Sequence, residues 1–126
     1  MTAGKLRLVL CWHMHQPQYR DALEDTYLRP WTWLHGIKDY SDMAAHLETV
    51  PGARAVVNFS TILLQQLSDY AERIARWKSD GTAIGDPLLD ALAGSMFVND
   101  SQKLKLTDAC LHANEAHMIG AFPPYA

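Results

Sequence analysis

The sequence has 126 residues, the size of one domain, and its 11 Lys and Arg against 14 Asp and Glu residues give a formal net charge of −3. With 48% hydrophobic and 20% charged residues, the composition is that of a globular protein, which excludes a disordered, collagenous or coiled-coil chain. Basic residues form no cluster that would neutralise phosphates, so we expect no nucleic-acid partner. No apolar run approaches the roughly 20 residues of a membrane span, so we expect no membrane partner.

The cysteines and the first residues predict a cytoplasmic protein. Lys5 and Arg7 precede an apolar stretch that is too short for a signal peptide. Cys11 and Cys110 stand far apart in the chain, and disulfides are rare in reducing compartments. We therefore expect two buried thiols.

Two short strands are predicted in the first half of the chain. Residues 5–12 are nearly continuous in Leu and Val, which is typical of a strand covered on both faces. Residues 13–29 contain Pro17 and show no clear period, which predicts a long loop, and loops of that length in a compact domain are usually functional. Residues 54–59 predict a second buried strand.

Two helices have the clearest periods. The first is predicted from Pro30, which suits a first helical turn, to the turn at Pro51-Gly52. The second follows Ser60 as its N-cap and ends at Gly81. Apolar residues step by four, three, four and three positions in each helix, which predicts one buried face. These residues are Trp33, Ile37, Tyr40, Ala44 and Leu47 in the first helix, and Leu63, Leu67, Tyr70, Ile74 and Trp77 in the second.

The residues after Gly81 are predicted as helical, and the order of strands and helices along the whole chain predicts the α/β fold class. Asp86-Pro87 predicts the start of a helix that runs to about Phe97, residues 100–113 predict another, and Asn114 predicts the cap of one more turn. Strand, loop, helix, strand, helix is the order of a parallel sheet with outer helices. Two parallel strands are too few to be covered on both faces. Either the last region contains a third strand that its sequence pattern does not reveal, or, as we favour, the chain is the N-terminal part of a larger fold.

Candidate site residues follow the first strand. Open α/β sheets and α/β barrels bind ligands at the carboxyl ends of their strands. On a continuing strand, residues two apart point to the same side, which applies to His13 and His15. Asn58, at the end of the second strand, shares this edge, where it either binds a ligand or caps the turn at Ser60. The hydrogen-bonding groups of the segment after the first strand are His13, His15, Gln16 and Tyr19.

The two imidazoles support two functional interpretations besides simple packing of one ring. They hydrogen-bond a neutral substrate, or they ligate a metal that activates water, as in amidohydrolase-type enzymes. A metal needs further ligands, and the candidates show no recognisable spacing, so we expect no metal and no cofactor. Those candidates are His35, His46, Asp39, Asp42 and Glu48, of which the three acidic residues suit a solvated helix face.

Two tryptophans at the start of the first helix offer a further site. Trp31 and Trp33 could stack against the apolar face of a pyranose ring. Trp33 suits core packing equally well, because it begins the apolar stripe of the helix. A carbohydrate-binding module without chemistry is therefore a third interpretation.

An ordered set of motifs resembles the N-terminus of glycoside hydrolase family 57. The triplet His15-Gln16-Pro17 alone is a weak motif, but the set covers nearly all of the chain and is fairly specific. The similar segments are His15-Gln16-Pro17 with Tyr19, Tyr27-x-x-Pro30-Trp31-x-Trp33-Leu34-His35-x-x-Lys38-Asp39-Tyr40, Val57-Asn58-Phe59-Ser60, Leu63-Leu64-x-x-Leu67-x-Asp69-Tyr70 and Ala113-Asn114-Glu115-x-x-Met118-Ile119, before Phe122-Pro123.

The resemblance implies that residues 1–126 are the N-terminal portion of an incomplete (β/α)7 barrel, with parallel strands and outer helices. It implies a retaining glycoside hydrolase or glucanotransferase that acts on α-glucans or maltooligosaccharides, as α-amylases, amylopullulanases, branching enzymes and 4-α-glucanotransferases do. By position, His15 matches the family's first-motif histidine, which contacts the sugar. The expected substrate-binding residues are His13, His15, Gln16, Tyr19, Trp33 and Asn58.

The resemblance assigns no catalytic residue to this chain. In the family, a glutamate nucleophile and an aspartate acid/base lie in motifs on later strands, which residues 1–126 do not reach. We therefore expect the catalytic groups in a missing C-terminal part of the barrel, and an isolated chain that is inactive.

Overall fold

The computed structural model describes residues 7–94, 99–111 and 120. Within that part of the chain, no helix combines the length and apolarity that a membrane span requires. The elements in chain order are β1 (Leu10–Met14), β2 (Arg20–Asp21), β3 (Thr26–Tyr27), α1 (Trp31–Ile37), α2 (Asp39–Thr49), β4 (Ala55–Phe59), α3 (Thr61–Asp80), α4 (Pro87–Leu92) and α5 (Asp100–Leu111).

The predicted pairing of the two main strands is confirmed. β1 and β4 form a parallel pair, with Leu10 opposite Ala55 and Met14 opposite Phe59. The helices α1 and α2 connect them, as a parallel crossover requires. The α/β class is therefore present in the described residues as one parallel pair with helices.

The prediction that both strands are buried is wrong for the described chain. Met14 is the one buried residue of β1, and β4 has none. The helix α1 packs against α2 and α3, and these helices leave the apolar side chains of the strands exposed. Cys11, expected as a buried thiol, is exposed for the same reason. The exposed apolar residues in and beside the strands are Leu8, Val9, Leu10, Val56, Val57 and Phe59.

The segment predicted as a long loop contains secondary structure. β1 extends to Met14, and β2 and β3 form a short antiparallel hairpin in which Arg20 lies opposite Tyr27. In the turn between them, the Asp21 side chain accepts hydrogen bonds from the backbone N–H of Leu23 at 2.8 Å and of Glu24 at 3.3 Å. Asp21 therefore supplies the local turn bonds that the sequence period does not reveal.

The first predicted helix is two helices, and the prediction of one buried face is wrong here, because Ile37 is 69% exposed and Ala44 is exposed as well. α1 ends at Ile37 and α2 begins at Asp39, because Lys38 has φ −117° and ψ −76° and interrupts the helical backbone. Gly36 precedes the break, and a Cβ atom at this position would lie 3.0 Å from the Leu67 side chain. Glycine thus allows α1 to approach α3 closely but weakens the helix there.

α3 confirms the prediction at both ends. The Ser60 hydroxyl accepts a hydrogen bond from the Leu63 N–H at 3.3 Å, and Gly81 ends the helix with φ +77°. The predicted apolar stripe is buried or half-buried. Its Tyr70 forms a core with Tyr27 and Ile84, against which Ile74 and Trp77 of the same stripe pack.

The remaining helices agree in part with the prediction. Asp86 caps α4 and Pro87 is its first residue, as expected, but the helix ends at Leu92 rather than near Phe97. The helix α5 is confirmed, and the turn predicted after Asn114 lies outside the described residues.

Candidate functional site

The carboxyl ends of β1 and β4 bring His13 and Asn58 together. The two residues are opposite one another in the parallel register, and His13 Nδ1 lies 2.6 Å from Asn58 Oδ1. An amide oxygen only accepts, so Nδ1 carries the proton and a neutral ring presents Nε2 as an acceptor. The predicted sharing of one sheet edge is therefore confirmed.

The predicted N-cap, Ser60, caps α3 with its own hydroxyl. The Ser60 backbone N–H donates to the Met14 carbonyl at 2.9 Å. Asn58 is thus not the cap of this turn, and its side chain serves the His13 contact.

His13 and His15 present their rings side by side. The ring centroids are 6.0 Å apart with an angle of 12° between the planes, as expected for residues two apart on an extended chain. Both side chains are exposed. Two imidazoles in this arrangement can donate to and accept from neighbouring hydroxyl groups of one ligand.

Gln16 connects this edge to α2. Its Nε2 donates to the Tyr40 hydroxyl at 3.0 Å, which orients the amide. The Tyr40 ring lies 6.3 Å from His35, whose ring lies 6.4 Å from Trp31. Tyr40 belongs to the apolar stripe predicted for the first helix and is not among the predicted site residues. The family resemblance could have identified Tyr40 as a site residue, because Tyr40 is one of the matching residues of its second motif segment.

Trp33 and Tyr19 lie on the inner side of the molecule. Both are half-buried and pack against the core, and Trp33 Nε1 donates to Asp86 Oδ2 at 3.2 Å. Trp31 is the more exposed of the two tryptophans, at 39% of its surface. Binding of a sugar by Trp33 and Tyr19 stays a prediction.

Two polar residues on α3, Asp69 and Arg73, hold the turn between β2 and β3, and sequence reasoning missed them. Arg73 is only 5% exposed, and its Nε donates to Asp69 Oδ2 at 2.8 Å. Its Nη1 donates to the carbonyls of Asp25 at 3.1 Å and Ile84 at 3.0 Å, and its Nη2 pairs with the Asp25 carboxylate. One guanidinium thus joins α3 to the β2–β3 turn and to the segment before α4.

The charges of this cluster favour the ionised form of Asp25. Hydrogen bonds from Arg20, and then from Arg73, hold the pKa of the Asp25 carboxyl below its ordinary value. The spacing of residues along α3 could have identified its buried polar residues. Gln66 and Arg73 are seven residues apart and lie beside Leu67 and Ile74 on the buried face.

Two buried tyrosines, one on β3 and one on α3, stack on one another. The rings of Tyr27 and Tyr70 have centroids 4.0 Å apart. Burial, and then hydrogen bonds to Asp69 and Asp86 respectively, raise the pKa of both hydroxyls far above the ordinary tyrosine value. These hydroxyls are therefore structural donors in the neutral form.

The residues considered as metal ligands are not gathered around one point. Within residues 7–94, 99–111 and 120, no three His, Cys, Asp or Glu side chains are placed to hold a metal ion. Around the junction of α1 and α2, His35 pairs with Asp39, and Lys38 donates to Asp42 at 2.7 Å, all through side chains that are at least 40% exposed. The geometry thus gives the metal interpretation no support.

This arrangement defines a class of protein. Open α/β folds bind ligands at the carboxyl ends of their parallel strands. In this chain that edge carries the imidazole of His13 and the amide of Asn58. A family model described as Glycosyl hydrolase family 57 matches residues 9–117, which contain both main strands and every candidate site residue. The chain belongs to glycosyl hydrolase family 57, which confirms the resemblance and makes carbohydrate the substrate class. No curated protein and no solved structure matches the chain.

Proposed function

We propose that this chain is the N-terminal portion of the catalytic barrel of a retaining glycoside hydrolase or glucanotransferase that acts on α-glucans. In this proposal the chain forms one wall of the sugar cleft. The observation that carries it is the side-chain pair of His13 and Asn58 at the carboxyl ends of two parallel strands, next to the exposed His15 ring.

The chemistry of these groups suits a neutral sugar. With its Nδ1 proton directed at Asn58, a neutral His13 ring offers Nε2 to a hydroxyl donor. The amide of Gln16 is oriented by Tyr40 and offers its carbonyl oxygen as an acceptor. The exposed ring of Trp31 offers an apolar face of the kind that stacks on a pyranose.

The carboxyl groups that cut the bond are proposed to come from chain that follows residue 126. Retaining enzymes use two carboxyl groups about 5 Å apart. In the described part of the chain, neither His13 nor His15 has a carboxylate as a hydrogen-bonding or ion-pair partner. The exposed apolar side chains of β1 and β4 also support further strands and helices that cover the sheet.

The test uses the 126-residue chain, isotopically labelled for NMR, with maltooligosaccharides as the probe. We expect the His13 and His15 ring signals to shift on titration, and no new reducing ends to form. The matched variants are His15→Ala, which should lose the shifts, and His46→Ala, an exposed histidine on α2, which should keep them.

Each result decides one part of the proposal. Hydrolysis of maltooligosaccharides by this chain would contradict the assignment of the catalytic groups to later residues. Unchanged histidine signals at millimolar sugar would contradict the cleft role. A reading frame that continues past codon 126 into further strand and helix patterns is expected, and a stop codon there would contradict the barrel portion.

A further inference from the structure

Gln66 is a buried polar residue that the sugar cleft itself does not explain. It lies in the second turn of α3 and is 2% exposed. Its Nε2 donates to the Pro17 carbonyl at 2.9 Å, and its Oε1 accepts from the Tyr19 N–H at 3.0 Å. One side-chain amide thus bridges two backbone groups of the loop that follows His15.

The same amide oxygen also reaches α1. The hydroxyl of Thr32, which has no exposed surface, donates to Gln66 Oε1 at 3.4 Å. Thr32 directly follows Trp31, so a single residue of α3 is bonded to two of the chain segments that carry candidate sugar contacts.

Filling space does not require an amide at this position. A leucine side chain of similar size would pack there, but it would leave the Tyr19 N–H and the Pro17 carbonyl without these partners. Leaving buried backbone groups unpaired is costly, so the loop would move to satisfy them elsewhere.

We propose that Gln66 is a positioning residue of the sugar site. By holding the backbone of residues 17–19, it sets the direction in which His15 and Gln16 leave β1, and through Thr32 it sets the start of α1. Its importance for sugar binding rests on the proposed function, whereas its hold on the loop does not.

The experiment compares two neighbouring glutamines of α3 in the 126-residue chain. Gln66→Leu removes the amide, and Gln65→Leu makes the same change at an exposed position. In Gln66→Leu we expect the protection of the Tyr19 amide against hydrogen exchange to fall at least about tenfold. The His15 ring signals should move, and maltooligosaccharide affinity should weaken by about tenfold or more. Gln65→Leu should change none of these.

A second pair of variants separates hydrogen bonding from packing. In Gln66→Glu, an ionised carboxylate cannot donate to the Pro17 carbonyl and repels its oxygen, so the loop should be released from α3, whereas the protonated acid can donate to Pro17 and accept from the Tyr19 N–H. Protection of Tyr19, taken relative to the intrinsic exchange rate, should therefore recover as the pH is lowered. Neighbouring titratable groups, Asp69 and Tyr27, are present in every variant, and Gln65→Glu controls for them.

The outcomes distinguish the two proposals. Unchanged Tyr19 protection and His15 signals in Gln66→Leu would overturn the positioning role. If that variant does not fold, the absence of recovery in Gln66→Glu at low pH overturns it. If the loop responds as expected but the wild-type chain shows no response to maltooligosaccharide, Gln66 holds the loop and the proposed function is wrong.

Discussion

The hydroxyl of Tyr70 donates to Oδ2 of Asp86 at 2.6 Å in the interior of the molecule. The same oxygen accepts from Trp33 Nε1, while Oδ1 accepts from the N–H groups of Leu88 and Leu89 at 2.9 and 3.1 Å. Asp86, which is 1% exposed, therefore caps α4 and joins it to α3 and α1 at once. The stability of the chain should depend on this carboxylate.

We expect Asp86→Ala to lower the free energy of unfolding by about 3 kcal/mol, because it removes an N-cap and leaves two buried donors unpaired. Urea denaturation monitored by circular dichroism measures the change. Asp100→Ala at the exposed start of α5 is the control, with an expected effect below about 0.5 kcal/mol. Equal effects in the two variants would contradict the role of Asp86.

The buried tyrosines predict a loss of stability in alkali. Because the pKa values of Tyr27 and Tyr70 are raised in the folded chain, the folded state binds more protons than the unfolded state above pH about 10. The free energy of unfolding should therefore fall as the pH rises past about 10, by up to about 1.4 kcal/mol per pH unit for each tyrosine. Tyr70→Phe should be less stable at neutral pH but lose less between pH 9 and 11. An equally steep loss in this variant would show that Tyr70 is not responsible.

Gly85 and Gly52 form a matched pair for backbone strain. Both have φ +80°, but a Cβ atom on Gly85 would lie 2.7 Å from Arg73 Nη1 and 3.2 Å from the Asp25 carbonyl oxygen. Nothing lies within 4 Å of the corresponding position on Gly52. We expect Gly52→Ala to cost about 1 kcal/mol from backbone conformation alone, and Gly85→Ala about 1–2 kcal/mol more. Thermal unfolding of the two variants checks the difference, and equal midpoints would mean that the Arg73 contact is not tight.

The contact between His13 and Asn58 predicts one ring tautomer. Because Asn58 Oδ1 can only accept, a neutral His13 should carry its proton on Nδ1. Nitrogen chemical shifts of the imidazole at pH above about 8 report this directly. Asn58→Asp keeps an acceptor and should keep the tautomer, whereas Asn58→Ala should let the proton redistribute to Nε2. A proton on Nε2 in the wild-type chain would contradict the contact.

The uncovered strands predict self-association of the isolated chain. Val56 is 57% exposed on β4, which in the described residues pairs only with β1, and an open apolar strand edge pairs readily with other chains. Sedimentation equilibrium should show a mass that rises with concentration, together with binding of a hydrophobic dye. Val56→Lys should reduce both, while Leu92→Lys, an exposed position on α4, should not. A monomer at all concentrations without dye binding would refute this prediction.

Local signals in the sequence predicted the elements that depend on local bonds. The helix α3 has a clear period, a serine that caps its start and a glycine that ends it, and all three are present in the structure. The break at Lys38 escaped prediction, because the apolar steps from Trp33 to Leu47 run through it without interruption. The short hairpin of β2 and β3 escaped for a similar reason. Two residues per strand leave no period to detect, and the hairpin is held by Arg73 from α3.

The sequence by itself determined the apolar face and both ends of α3, the capped start of α4, the parallel order of the strands and the family. These follow from residue spacing and motifs, which are properties of the chain alone. Only the tertiary structure decided that His13 bonds to Asn58, that Gln66 holds the loop after His15, and that β1 and β4 expose their apolar residues. The two contacts join residues far apart in sequence, so they form only when the strands and helices pack. The exposure of the strands depends on which surfaces the packed helices cover.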